Sequence, residues 1–119
     1  MANNQNTADT AKEERYNGWT NYETWAVSLW IDNDQATHGY WRQEAVRQAE
    51  ESANCEMVRD GVWTSKDAAR YNLAEQLKEE ITEAAPDMEA SVYSDLLQAA
   101  FDTVNWREIA ENLLDNLDN

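Results

Sequence analysis

The chain is poor in several residue types that carry chemistry. Its 119 residues include one cysteine, one histidine, one proline, three glycines and only nine bases. The lone Cys55 cannot close an internal disulfide, and a soluble intracellular protein is the simplest expectation. Gly18, Gly39 and Gly61 are too few and too scattered to build a glycine-rich phosphate loop. No run of about eighteen apolar residues exists, so no membrane-spanning helix is expected. Met1 to Arg15 lacks the apolar centre of a secretory signal, which points to the cytoplasm. No basic patch is legible, which argues against direct binding of nucleic acid.

Aromatics and carboxylates are plentiful. Six Trp and five Tyr within 42% hydrophobic content supply enough apolar area for one core. Residues 1–15 read as a flexible polar tail and 16–119 as a single helical domain. Twenty-four acids against nine bases give a formal charge of −15. The imbalance is uneven. Residues 71–119 hold twelve acids and only Lys78 and Arg107, a net −10, against −5 for the first seventy residues. Such a field repels DNA, RNA and anionic membranes and attracts basic surfaces within a Debye length, about 8–10 Å at physiological salt.

The pattern predicts a compact, mostly α bundle of about five helices around a Trp-rich core. Asn17-Gly18 marks a turn. Thr20 and Glu23 have the form of a capping box, opening a helix over about Asn21–Asp32. Trp25, Ala26, Val27, Leu29, Trp30 and Ile31 leave that helix little polar face, so it is expected at the centre. A second helix is expected over about Gln35–Asn54, with Gly39 weakening its first turns. Residues 56–63 allow a small strand pair around Asp60-Gly61, or a loop folded on the core. Thr64-Ser65-Lys66-Asp67 starts the next helix, which carries Ala69, Leu73, Leu77 and Ile81 and stops at Pro86. Asp87 or Ser91 caps a helix with Val92, Leu96, Leu97, Ala100, Phe101 and Val104 on one face. Asn105 to Glu108 again resembles a capping box and opens the last helix.

Catalytic signals are weak, and the chain does not read as an enzyme. His38 and Cys55 are conceivable as a nucleophile pair, but a surface histidine and a buried thiol explain them better. Asp32-Asn33-Asp34 begins like a calcium loop, yet Ala36, Thr37 and Gln43 stand where that loop needs Asp or Asn, Gly and Glu. Asp34 and His38 are two ligands short of a transition-metal site. No metal or cofactor is expected. The acids are more informative. Glu75, Glu79 and Glu83 recur every four residues on one helix face, with Glu80 beside them. Asp87, Glu89, Asp95, Asp102, Glu111 and Asp115 continue the series. Carboxylates several ångströms apart on rigid helices approximate a row of phosphates. Two plainer readings compete: a solvated face that keeps the chain soluble, or adaptation to high salt, since only three of the nine bases are Lys.

The segment from Tyr16 to Asp34, with Asn17-Gly18-Trp19-Thr20-Asn21-Tyr22-Glu23-Thr24-Trp25 at its head, resembles small proteins of phages, plasmids and other mobile elements that carry an N-G-W-x-N-Y-E-T-W signature. The resemblance implies an accessory role and brings no catalytic residues. The signature's aromatics are expected to fill the core, with exposed ones such as Tyr16 or Trp19 open to a binding role. Together these readings favour an acidic nucleic-acid mimic. Its carboxylates from Glu75 onward would block the DNA- or RNA-binding site of a host protein, such as a restriction or CRISPR-type defence complex. The alternative is an interaction or assembly module that uses the aromatic N-terminal region.

Overall fold

In the computed structural model the described residues are 15–118; the remainder of the expected tail, residues 1–14, lies outside them. Six helices are present among the described residues. They are α1 (Tyr22–Asn33), α2 (Gln35–Ser52), α3 (Glu56–Arg59), α4 (Ser65–Glu83), α5 (Val92–Thr103) and α6 (Trp106–Asp115), and a 3-10 turn over Asn116–Asp118 follows. The expected mostly helical bundle is the fold, with one helix more than the sequence reading counted. The addition is α3, a single turn in the segment left open to a strand pair. After it the Met57 carbonyl accepts the Val62 and Trp63 amides at 2.9 and 3.1 Å, closing a tight reversal at Asp60-Gly61. No strand forms among the described residues, only an isolated bridge between Tyr16 and Trp19.

That bridge explains the Asn-Gly pair. Asn17 and Gly18 adopt φ of 49° and 90°, and Tyr16 and Trp19 exchange backbone hydrogen bonds of 2.7 and 2.8 Å. Two successive positive φ values are the requirement of a tight turn that favours Asn followed by Gly. The next step departs from expectation. Asn21, not Thr20, caps α1, its side-chain oxygen accepting the Thr24 amide at 2.9 Å. The Thr20 amide instead donates to Glu108 at 2.9 Å. Asn is at least as good a cap as Thr. Here Asn21 also donates to the Thr103 carbonyl at 2.7 Å, tying α1 to the end of α5. Arg15 joins the fold as well, donating to the Gly18 carbonyl at 2.7 Å and pairing with Glu108.

The core also sits elsewhere than expected. α4 packs most extensively, against α6 on one side and α2 on the other. It buries Ala68, Ala69, Leu73, Ala74 and Leu77. Leu73, Ala74 and Leu77 share one cluster with Trp41 and Ala45 of α2 and Ile109, Ala110 and Leu113 of α6. α1 is peripheral. Its buried stripe is Thr24, Ser28 and Ile31, while Trp30 is 73% exposed. Of the six Trp, only Trp41 and Trp106 are buried, so the core is built from Leu, Ala and Ile with two indoles. Thr24 suits α1's inner face because its hydroxyl is satisfied there. The Thr24 hydroxyl accepts the Asn105 amide at 2.8 Å and donates to Asn21 at 2.6 Å. The signature thus acts as a polar bolt; Trp19 packs half-buried against the core, and the remaining rings lie toward the surface. Tyr16, Tyr22 and Trp25 cluster there with ring centroids 4.8–5.5 Å apart.

α5, like the short α3, buries no residue. Ser91 and Ser94 form a reciprocal capping box at its start. Its expected apolar face divides. Leu97, Ala100 and Phe101 lie half-buried, whereas Val92 and Leu96 are 62% and 63% exposed.

A polar zipper joins α2 to α4. Gln76 donates to Glu44 at 2.6 Å and to Glu80 at 2.8 Å, and Arg47 reaches Glu44 at 2.7 Å. The hydrogen bond from Arg47, followed by that from Gln76, holds the Glu44 carboxyl below its usual range. Tyr40 donates to Glu80 at 2.7 Å. That bond above all, with desolvation and the negative charges of Glu80 and Glu44, pushes the phenol up to about 12 from its ordinary 10.0. The resulting stabilisation is complete below the unfolded value and disappears as pH climbs from about 10 to about 12. Thermal midpoints measured over that interval should therefore fall less steeply for Tyr40→Phe than for the wild type. Identical slopes would show that this phenol is not coupled to folding.

Candidate partner-binding surface

The carboxylates of the second half fall into two groups once the fold is known. Glu108, Glu111 and Asp115 each face one of the protein's own bases. Arg15 pairs with Glu108, Arg70 reaches Glu111 at 2.9 Å, and Lys66 lies 3.6 Å from Asp115. Two members of the expected binding row, Glu111 and Asp115, are therefore tied to the protein's own bases. Between Glu75 and Asp102 the pattern is different. None of the eight carboxylates in that stretch forms an ion pair among the described residues. Glu80 is occupied by Tyr40 and Gln76. Glu75, Glu79, Glu83, Asp87, Glu89, Asp95 and Asp102 are exposed.

Local structure holds these seven groups in place. Glu75, Glu79 and Glu83 ride on the outer face of α4, opposite Leu73 and Leu77. Asp87 and Glu89 occupy the connection to α5. There the Glu89 amide donates to the Asp87 carboxylate at 3.1 Å, and Glu89 takes a positive φ of 51°. Both line a shallow cleft of about 250 Å³ between the end of α4 and the outer part of α5. Asp95 and Asp102 follow on α5. The only base in the whole stretch is Lys78. No hydrogen bond from a base quenches these charges, and exposure leaves them available to a partner.

Exposed apolar groups accompany the acids. Tyr93, at 68% exposure, stands beside Val92 and Leu96 on α5. Trp30 of α1 borders a second, apolar cleft of about 440 Å³ with Val27, Ile31, Trp41 and Ile81. The sequence patterning placed Trp30, Val92 and Leu96 on apolar faces turned to the core, and no periodicity signal distinguished them from residues that are buried, such as Ile31 and Trp41.

The residues considered for catalysis are not brought together. His38 is exposed in the first turns of α2, and Cys55 follows that helix's far end. The intervening turns separate them by roughly 20 Å at 1.5 Å per residue. Among the described residues no group of three or more His, Cys, Asp or Glu is arranged to hold a metal ion. No described helix is long and apolar enough to cross a membrane.

A family model covers residues 12–117, nearly the whole chain. The chain belongs to DUF7249, a family of unknown function. The match takes in the signature, the polar bolt and the acid-bearing helices α4 and α5 alike. No curated protein and no solved structure matches the chain.

Proposed function

We propose that this DUF7249 protein is an acidic binding protein that mimics nucleic acid and occupies the DNA- or RNA-binding site of a basic partner. The observation that carries this reading is the stretch from Glu75 to Asp102: eight carboxylates, one base and no ion pair among the described residues. Like charges at Glu75, Glu79 and Glu83 disfavour an isolated helix by a few tenths of a kcal/mol per pair. They are retained on a helix whose inner face makes the core. Exposed carboxylates on such a scaffold match the Arg and Lys of a phosphate-binding groove, which pair with carboxylates as readily as with phosphates. The resemblance to mobile-element proteins supports a target in the host, with restriction or CRISPR-type defence complexes as candidates and the host cytoplasm as the setting.

The test is a pull-down from host lysate at low salt, eluted first with salt and then with competing DNA. Recovery of a nucleic-acid-binding protein, released by both, is expected. Capture that survives both elutions would contradict the mimic.

A second reading is favoured by the exposed rings. An assembly module would dock through exposed Tyr16, Tyr22 and Trp30, with half-buried Trp25 packed against the two tyrosines and the charge serving solubility. Monomers seldom expose large contiguous apolar patches without a use for them. Binding that persists after charge reversal on α4 would select this reading.

A further inference from the structure

The sequence shows no basic patch, but the fold brings two bases, unpaired among the described residues, to one cleft. Asp67, Arg70, Tyr71, Ala74, Glu75 and Lys78 recur at helical spacing along one face of α4, and that face lines a cleft of about 590 Å³ with Trp63 and the start of α6. Trp106 and Arg107 enter from α6. Three cations thus meet two carboxylates in a chain whose overall balance is −15. Arg70 is held by Asp67 and Glu111, both at 2.9 Å, so it is largely neutralised. Lys78 and Arg107 are exposed and have no ion pair among the described residues. They are also the only bases after residue 70. Both line this cleft.

The remaining wall is aromatic. Trp63 and Tyr71 lie 5.2 Å apart between ring centroids, with Tyr71 half exposed, and buried Trp106 contributes from the opposite helix. Ala74, small and buried, forms the floor and leaves the space open. The volume lies in the range of pockets that hold a small organic ligand. Rings beside unpaired cations suit a planar group carrying negative charge. Stacking serves the ring, and Lys78 with Arg107 serves the anion.

We propose that this cleft between α4 and α6 binds a nucleoside phosphate, with the base against Trp63 and Tyr71 and the phosphate at Lys78 and Arg107. The site adjoins the acidic surface, and Glu75 belongs to both. As a carboxylate within the cleft it opposes an anion, so Glu75→Gln should tighten nucleotide binding, whereas loss of that charge should weaken binding of a basic partner.

The experiment titrates the full-length, isotope-labelled protein with AMP, adenosine and inorganic phosphate, following the indole N–H resonances of Trp63 and Trp106 by NMR. AMP should shift both saturably. Adenosine and phosphate should each bind about tenfold more weakly, because each keeps one half of the interaction. Lys78→Ala combined with Arg107→Ala should weaken AMP about tenfold or more while leaving the Trp41 resonance in place, which reports an intact core. The proposal is overturned by the absence of a saturable shift, by equal affinity for AMP and phosphate, or by an AMP affinity that the double variant does not change.

Discussion

Leu77→Ala is expected to destabilise the protein by about 2–5 kcal/mol, and Trp30→Ala by less than about 1 kcal/mol. Leu77 is fully buried at the centre of α4, where α2 and α6 close on it, so truncation leaves a cavity that neighbours on both sides cannot easily fill. Trp30 has most of its surface in solvent, and Ala is the better helix former. In a domain of this size the first substitution should lower the thermal midpoint by on the order of 10 °C or more, and the second by a few degrees. Thermal or urea denaturation of the two variants measures the contrast directly. Equal losses would restore α1 to the central place that its apolar run suggested.

That contrast marks what the sequence could and could not disclose. Helix positions were legible because caps and breakers act locally. Thr64 caps α4 through the Asp67 amide at 3.0 Å, Asn105 caps α6 through Glu108 at 3.1 Å, and α4 ends before Pro86. Which helix occupies the centre was not legible, because hydrophobicity measures the tendency to be buried and says nothing of packing distance. α4 is central through Ala68, Ala69 and Ala74, whose small side chains let α2 and α6 approach. α1 has the stronger apolar content, yet it docks through Thr24 and Ser28, because the hydroxyl of Thr24 meets the Asn105 amide eighty-one positions away. No local pattern contains such a long-range partner.

The binding surface was legible in part for the same reason. Charge density is a sequence property, and the series from Glu75 to Asp102 stands out in the chain. Neutralisation is a property of the fold. Glu111 and Asp115 look like the rest of the series in sequence, but Arg70 and Lys66, forty-one and forty-nine positions earlier, lie beside them. The cleft's unpaired bases are not legible as a pair in the sequence, because Arg107 comes from another helix. The spacing of Arg70, Ala74 and Lys78 along α4 was the one signal that could have suggested the cleft.

Reversing three charges should have the largest functional effect. Glu75→Lys, Glu79→Lys and Glu83→Lys in one variant replace three attractive contacts to a basic groove with three repulsive ones. Close charge pairs across interfaces couple strongly enough that affinity for the partner should fall about 100-fold or more. Folding should change little, because all three side chains are exposed and none is ion-paired among the described residues. Thermal denaturation of the variant checks that condition, and a binding titration reads the loss. Retained affinity would transfer the contact to the aromatic surface around Tyr16, Tyr22, Trp25 and Trp30.

The most direct measurement is the salt dependence of the complex with the captured partner, with and without competing duplex DNA. Affinity should fall steeply as ionic strength rises and the Debye length shrinks, and DNA should displace the protein from its site. An affinity that stays flat from low to high salt, or a complex that binds DNA and this protein at once, would contradict a carboxylate surface standing in for phosphates.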